Sequence, residues 1–167
     1  GEPKFLPSAH LLSGFYLNEL LLKLLHLHDP QIEVFDLYAG TLQQLKNQAD
    51  DWRTLRLFEK HLLRALGFGL TLQYEAERGT PIVPEGCYRY AIEQGAFRVS
   101  AAVDPARGVY SGAALLALQA EQFADAQQIS EARYLLRSML DHVLDGRRLQ
   151  TREILNNLRL INSSKSS

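Results

Sequence analysis

The chain has 167 residues, 46% hydrophobic and 22% charged, which suffices for one domain with a buried core. Its formal net charge of −1 supplies no global field for nucleic acid, so any such binding must come from local patches. A single cysteine, Cys87, excludes an internal disulfide and a cysteine-rich zinc site, and fits a reducing cytoplasm.

Residues 1–7, with Pro3 and Pro7, read as a linker, without the basic start and apolar core of a secretory signal. Ser8 to His28 is predicted to be a helix, apolar on most sides through Leu11, Leu12, Phe15, Tyr16, Leu20, Leu21, Leu24 and Leu25. Such a helix is expected at the centre of a bundle. Its leucine run, Leu20 to Leu25, is interrupted by Lys23 and too short to span a bilayer. Asp29-Pro30 breaks it, because the proline ring disfavours helical geometry at Asp29. A second helix is expected from about Gln31 to Gln48, with Val34, Phe35, Tyr38, Leu42 and Leu45 inward.

The third helix, about Asp51 to Leu66, carries two stripes. Trp52, Leu55, Phe58 or Glu59, Leu62 and Leu66 recur at three- and four-residue steps and face a core. Arg53, Arg56, Lys60 and Arg64 form a cationic stripe beside it. Asp50 and Asp51 suit the N-terminal cap, and Gly67 suits the left-handed position that ends the helix. The cationic stripe is either an ordinary solvated face or a surface for an acidic partner with a hydrophobic tip.

From Gly67 to Gly86 the glycines and prolines read as loop. Cys87 to Ile92, a turn at Glu93-Gln94-Gly95, and Ala96 to Val99 read as a hairpin that must pack on the helices, since an isolated hairpin is marginal in water. Ser111 suits the cap of a short helix to about Leu118. A longer one follows from about Ala126 to Leu144, with Ile129, Leu136, Met139 or Leu140, and Val143 inward; Gly146 stops it. Thr151 suits the cap of a last helix to about Leu160, and residues 162–167 read as a disordered polar tail. The fold class is therefore mostly α: a single helical domain over 8–161, with a hairpin insertion at about 87–100.

Catalytic and metal motifs are sparse. His26-x-His28 beside Asp29 is the one close histidine pair, and histidines at a helix C-terminus also suit its dipole. His61 reads as surface or rim, and Cys87 as a half-buried hairpin cysteine without the base a nucleophile needs. Gly67-x-Gly69 follows a helix and is no dinucleotide fingerprint. No motif specifies an enzyme, a metal or a cofactor. A second basic cluster, Arg133, Arg137, Arg147, Arg148, Arg152 and Arg159, faces only Asp141, Asp145 and Glu153, a local balance of +3. It either contacts nucleic-acid phosphates or pairs with those acids.

Three segments together resemble one family. Phe15-Tyr16-Leu17-Asn18-Glu19-Leu20-Leu21 resembles the first helix of the RecO C-terminal domain. Leu55-Arg56-Leu57-Phe58-Glu59 through Leu66-Gly67-Phe68-Gly69 resembles its RxFExxLLxxLGxG segment. Gly146 to Leu155 resembles its GxxLxSRELL segment, with Thr151 in place of the usual serine. The resemblance runs from about Phe5 to Leu160. It implies a bacterial recombination mediator rather than an enzyme, one that helps load RecA onto single strands coated by single-stranded-DNA-binding protein (SSB), anneals complementary strands and partners RecR. Family members also carry an N-terminal OB-fold, a small five-stranded barrel used for single-stranded DNA. This chain is expected to start just after it. Some members hold zinc with four cysteines after the Gly-x-Gly; Leu70 to Tyr90 holds only Cys87, so zinc is not expected.

The resemblance favours partner binding at the cationic helix. SSB proteins of this kind end in a short acidic tail with a terminal phenylalanine, which asks for cations beside an apolar pocket. Arg56, matching the family's arginine before Phe-Glu, is the first candidate for the tail carboxylates, with Arg53, Lys60 and Arg64 adding longer-range attraction. Phe35, Tyr38, Leu55, Phe58 and Leu62 are the candidate pocket walls. As an exposed arginine, Arg56 is expected to contribute little to stability. The alternative is a nucleic-acid-binding module using Arg133, Arg137, Arg147, Arg148 and Arg152.

Overall fold

The structure, a computed structural model, describes residues 8–27, 32–47 and 51–145. The described residues form five α-helices, α1 (Ser8–Leu27), α2 (Ile32–Asn47), α3 (Asp51–Ala65), α4 (Gly112–Ala120) and α5 (Ala126–Val143), a short 3-10 helix at Pro105–Arg107, and a small sheet of β1 (Cys87–Ala91), β2 (Gly95–Val99) and β3 (Val109–Ser111). The sheet is antiparallel in the order β2-β1-β3. The fold is mostly α with a small β insertion, as the pattern of periodic segments predicts. Among the described residues no helix is long and apolar enough to cross a membrane.

Helix α3 is the hub. It packs against α2 on one side and α5 on another, while α5 also packs on α4. Leu55, Phe58, Leu62 and Leu63 of α3 meet Leu17, Leu20 and Leu24 of α1 and Leu136, Met139 and Leu140 of α5 in one apolar cluster. Burial of such side chains contributes about 1.5–3 kcal/mol each before entropy is counted. Helix α3 ends where expected. Gly67 is left-handed at φ 90°, its amide donates to Arg64 O (3.1 Å), and the Phe68 amide donates to Leu63 O (2.8 Å).

The hairpin forms in register, Tyr88 opposite Arg98 and Ala91 opposite Gly95. It is not alone: β3 pairs with the other edge of β1, Tyr88 opposite Tyr110. A three-residue strand has too little alternation to be read from sequence. Ser111 then caps α4 by accepting from the Ala114 amide (3.1 Å). Gly112 sits so close to the loop before β1 that a Cβ there would lie 1.8 Å from Val83 O. No other residue fits this corner.

Four expectations about apolar faces need correction. Leu11, Phe15 and Leu22 of α1 are exposed, so that helix is not apolar-packed all round. Phe35 is 47% exposed, because α2 packs through Val34, Thr41 and Leu45, and the adjacent position turns about a quarter of the way round the helix. Trp52 is 40% exposed rather than core. On α5, Ile129 is only half-buried, while Glu131 is buried. The expected last helix, the stop at Gly146, the Asp50 cap and the tail lie outside the described residues.

Candidate anion-binding site

The four cations of α3 do not form one surface. Two of them hold the end of α4. Lys60 Nζ donates to Leu118 O (2.9 Å) and Gln119 O (3.2 Å), and pairs with Glu121 Oε1 (3.1 Å). Arg53 Nη2 donates to Glu121 O (2.8 Å), and His61 Nε2 lies 2.8 Å from Glu121 Oε1. The last carbonyls of a helix lack internal partners and carry partial negative charge, so cations from α3 stabilise them. Glu121, left-handed at φ 60°, closes the helix there.

The other end of α4 is matched in the opposite sense. Buried Glu131 of α5 accepts from the Ser111 amide (2.7 Å) and the Ser111 hydroxyl (3.0 Å), placing a carboxylate at the helix N-terminus. Tyr110 next to it has its phenol pushed up to about 12, first by burial and further by the Glu131 charge, against a hydrogen bond with Ser138. Helix α4 is thus held at both ends by charges from neighbouring helices.

The third cation behaves differently. Arg56 is not exposed, as the cationic stripe suggested, but buried at 5% exposure. Its Nε donates to Glu59 Oε1 at 2.6 Å, and its Nη2 pairs with the same oxygen. Glu59 is itself 2% exposed. The remaining nitrogen, Nη1, is buried with no hydrogen-bond partner among the described residues. Arg133 of the second basic cluster lies within electrostatic reach of this guanidinium. Burial, followed by the charge of Arg56, holds the Arg133 guanidinium below its usual range, with Arg137 adding to the depression and Tyr134 and Glu59 opposing it. Arg133 also lies over the Tyr134 ring, 5.5 Å from its centroid. The seam between α3 and α5 therefore brings the guanidiniums of Arg56 and Arg137 and the Glu59 carboxylate within electrostatic reach of Arg133. Trp52, one helical turn before Arg56, presents an exposed ring on that side of α3.

The remaining candidates separate from this cluster. Leu55, Phe58 and Leu62 are core residues, at most 1% exposed, so they do not wall an open pocket around the cations. Phe58 does reach the floor of a groove of about 340 Å³ between α2 and α3, with Leu37, Thr41, Leu57 and His61, but Asp36 and Glu121 edge it. Phe35 is exposed on α2, and the Tyr38 hydroxyl donates to Asn18 Oδ1 (3.4 Å). Arg64 is exposed and lines a neighbouring recess with Glu33, Leu37, His61 and Ala65. Acid-edged recesses suit an acidic tail poorly. Arg147, Arg148 and Arg152 lie outside the described residues, as do His28 and Asp29. Among the described residues no three histidine, cysteine or acidic side chains stand together as metal ligands.

Comparison with known proteins decides what kind of chain this is. Residues 9–153 match the family model described as Recombination protein O C terminal. The chain belongs to the RecO family. A DNA repair protein RecO of Coxiella burnetii is 43% identical over 155 residues, covering 93% of this chain and 66% of that protein. One of Methylococcus capsulatus is 43% identical over 144 residues, covering 86% of this chain and 58% of the relative. One of Alkalilimnicola ehrlichii is 42% identical over 159 residues, covering 95% and 62%. The chain thus spans somewhat under two thirds of the length of these DNA repair proteins.

The RecO-like segment of α3 now has a physical reading. Its arginine and glutamate, Arg56 and Glu59, are an ion pair one turn apart, and the phenylalanine between them is core. The cationic stripe suggested an exposed Arg56, so only the three-residue spacing, and not the pairing, was legible in the sequence. Glu121 and Glu131, the acids that hold α4, were not legible as such. They reach their partners across long sequence separations, which only the packed fold reveals.

Proposed function

We propose that this chain is a protein-interaction domain of a RecO-like DNA repair mediator and captures the acidic C-terminal tail of SSB at the α3–α5 seam. Through that capture it assists RecA loading and, with RecR, strand annealing. The observation that carries the reading is the Nη1 of Arg56, a buried guanidinium nitrogen with no hydrogen-bond partner among the described residues. An unmet donor in a poorly solvated site is costly, and a carboxylate supplies the missing acceptor. Arg133 and Arg137 add attraction around it, and the Trp52 and Tyr134 rings offer apolar contact for a terminal phenylalanine.

The test is a fluorescence-anisotropy titration with a labelled acidic peptide ending in phenylalanine. Arg133→Ala and Arg137→Ala are the informative variants. Both residues are half-buried, and removing Arg133 relieves the repulsion it suffers from its neighbours. We expect micromolar binding by the wild type, weakened about tenfold in each variant with melting temperature unchanged. Loss of the terminal phenylalanine should weaken binding as well. Equal affinity of wild type and both variants overturns the assignment. So does a labelled single strand that binds, with steep salt dependence, where the peptide does not. In that case the arginines read phosphate.

A further inference from the structure

We propose that Glu59 is a positioning and affinity-setting residue of this same site. Its carboxylate is an internal occupant that orients Arg56 and holds the affinity for an acidic peptide below what three guanidiniums would otherwise give. The inference rests on the reading of the seam as the peptide site.

The geometry carries it. Glu59 Oε1 takes both Nε and Nη2 of Arg56, so one carboxylate oxygen clamps one edge of the planar guanidinium. A guanidinium clamped along one edge keeps its orientation, and Nη1 is the buried nitrogen still without an acceptor among the described residues. The same carboxylate is a like charge facing any acidic ligand. Arg56, Arg133 and Arg137 against Glu59 leave the seam at +2. Glutamine at position 59 keeps the shape and an acceptor oxygen for Arg56, but raises the seam to +3. A residue whose charge was needed only to hold Arg56 in place would weaken binding when neutralised. A residue that is also an internal competitor strengthens it. The two roles therefore predict opposite signs.

The experiment measures the affinity of the labelled acidic peptide for wild type, Glu59→Gln, Arg133→Gln and the double variant, each at several salt concentrations. We expect Glu59→Gln to bind about threefold more tightly and to lose affinity more steeply as salt rises. Equal or weaker binding by Glu59→Gln, with wild-type helicity and cooperative melting, overturns the inference. If Glu59→Gln does not fold, the double variant decides, since it restores the wild-type charge of the seam. Tighter binding by the double variant than by Arg133→Gln alone supports the proposal, and equal or weaker binding overturns it. Wild type that fails to bind the peptide overturns the site reading and this inference with it. Binding without tightening overturns this inference alone.

Discussion

Two regions of the molecule handle arginine and lysine in opposite ways. At the end of α4, Arg53 and Lys60 meet backbone carbonyls and the Glu121 carboxylate. Every cation there has an acceptor. At the α3–α5 seam, Arg56 pairs with Glu59, Arg133 lies within electrostatic reach of Arg56, Arg137 and Glu59, and one buried guanidinium nitrogen has no acceptor among the described residues. Both sets draw on cations of α3. Cation count is therefore a poor guide to binding. What distinguishes a binding surface is positive charge left over once the fold has used what it needs.

The comparison breaks most sharply at Arg56. A buried ion pair adds little net stability, but removing one partner leaves the other charged and buried. We expect Arg56→Ala to cost about 3–5 kcal/mol in urea denaturation, because the buried Glu59 carboxylate would lose its ion pair with Arg56. This reverses the expectation from the sequence, where an exposed arginine would cost little. A loss below about 1 kcal/mol would mean that solvent already reaches the pair. Any peptide-binding defect of Arg56→Ala must accordingly be read beside its stability.

Glu131 tests the balanced region. Glu131→Ala strips acceptors from the Ser111 amide and hydroxyl, and should cost about 2–3 kcal/mol by the same measurement. Glu131→Gln keeps an acceptor and should recover most of that. Neither change touches the seam, so peptide affinity should stay at the wild-type value; a parallel loss of affinity would show that the two regions are coupled through α5.

Much of this layout was legible in the sequence, and the part that was not has one cause. Helix ends and caps are local: Gly67 needs φ above zero, and Ser111 needs only the amide three residues on. The hairpin likewise follows from alternation and a tight turn. Strand β3 is three residues long and is defined by its partner, which lies far back in the chain. The phase of the α3 cations was legible too, but their fate depends on acids from other elements. Glu121 turns two of them into structural contacts. The convergence of Arg56 with Arg133 needs α3 packed on α5 before it exists at all.

Tyr110 gives a pH signature to the balanced region. Its phenol is raised from 10.0 to about 12 in the folded chain, so the folded state prefers the protonated form. The associated stability is fully present below pH 10 and is lost as pH rises from 10 towards 12. Urea midpoints measured across that range should fall, and Tyr110→Phe should flatten the fall. An unchanged slope in Tyr110→Phe would assign the alkaline loss to other groups.

The smallest expected effect separates the regions most cleanly. Lys60→Met keeps the apolar stem of the side chain and removes the ammonium from α4's last carbonyls. Its cost should be about 1 kcal/mol, since the site is partly solvated and Arg53 still reaches Glu121 O. Peptide affinity at moderate salt should change by less than about twofold, because a charge already satisfied by the fold offers an incoming anion only screened attraction. Arg137→Ala is its mirror, with little effect on stability and a large effect on affinity. If Lys60→Met instead weakened the peptide as much as Arg137→Ala, the acceptors on α4 would not be neutralising it. The α3 cations would then act as one continuous surface, and the division drawn between the two regions would fail.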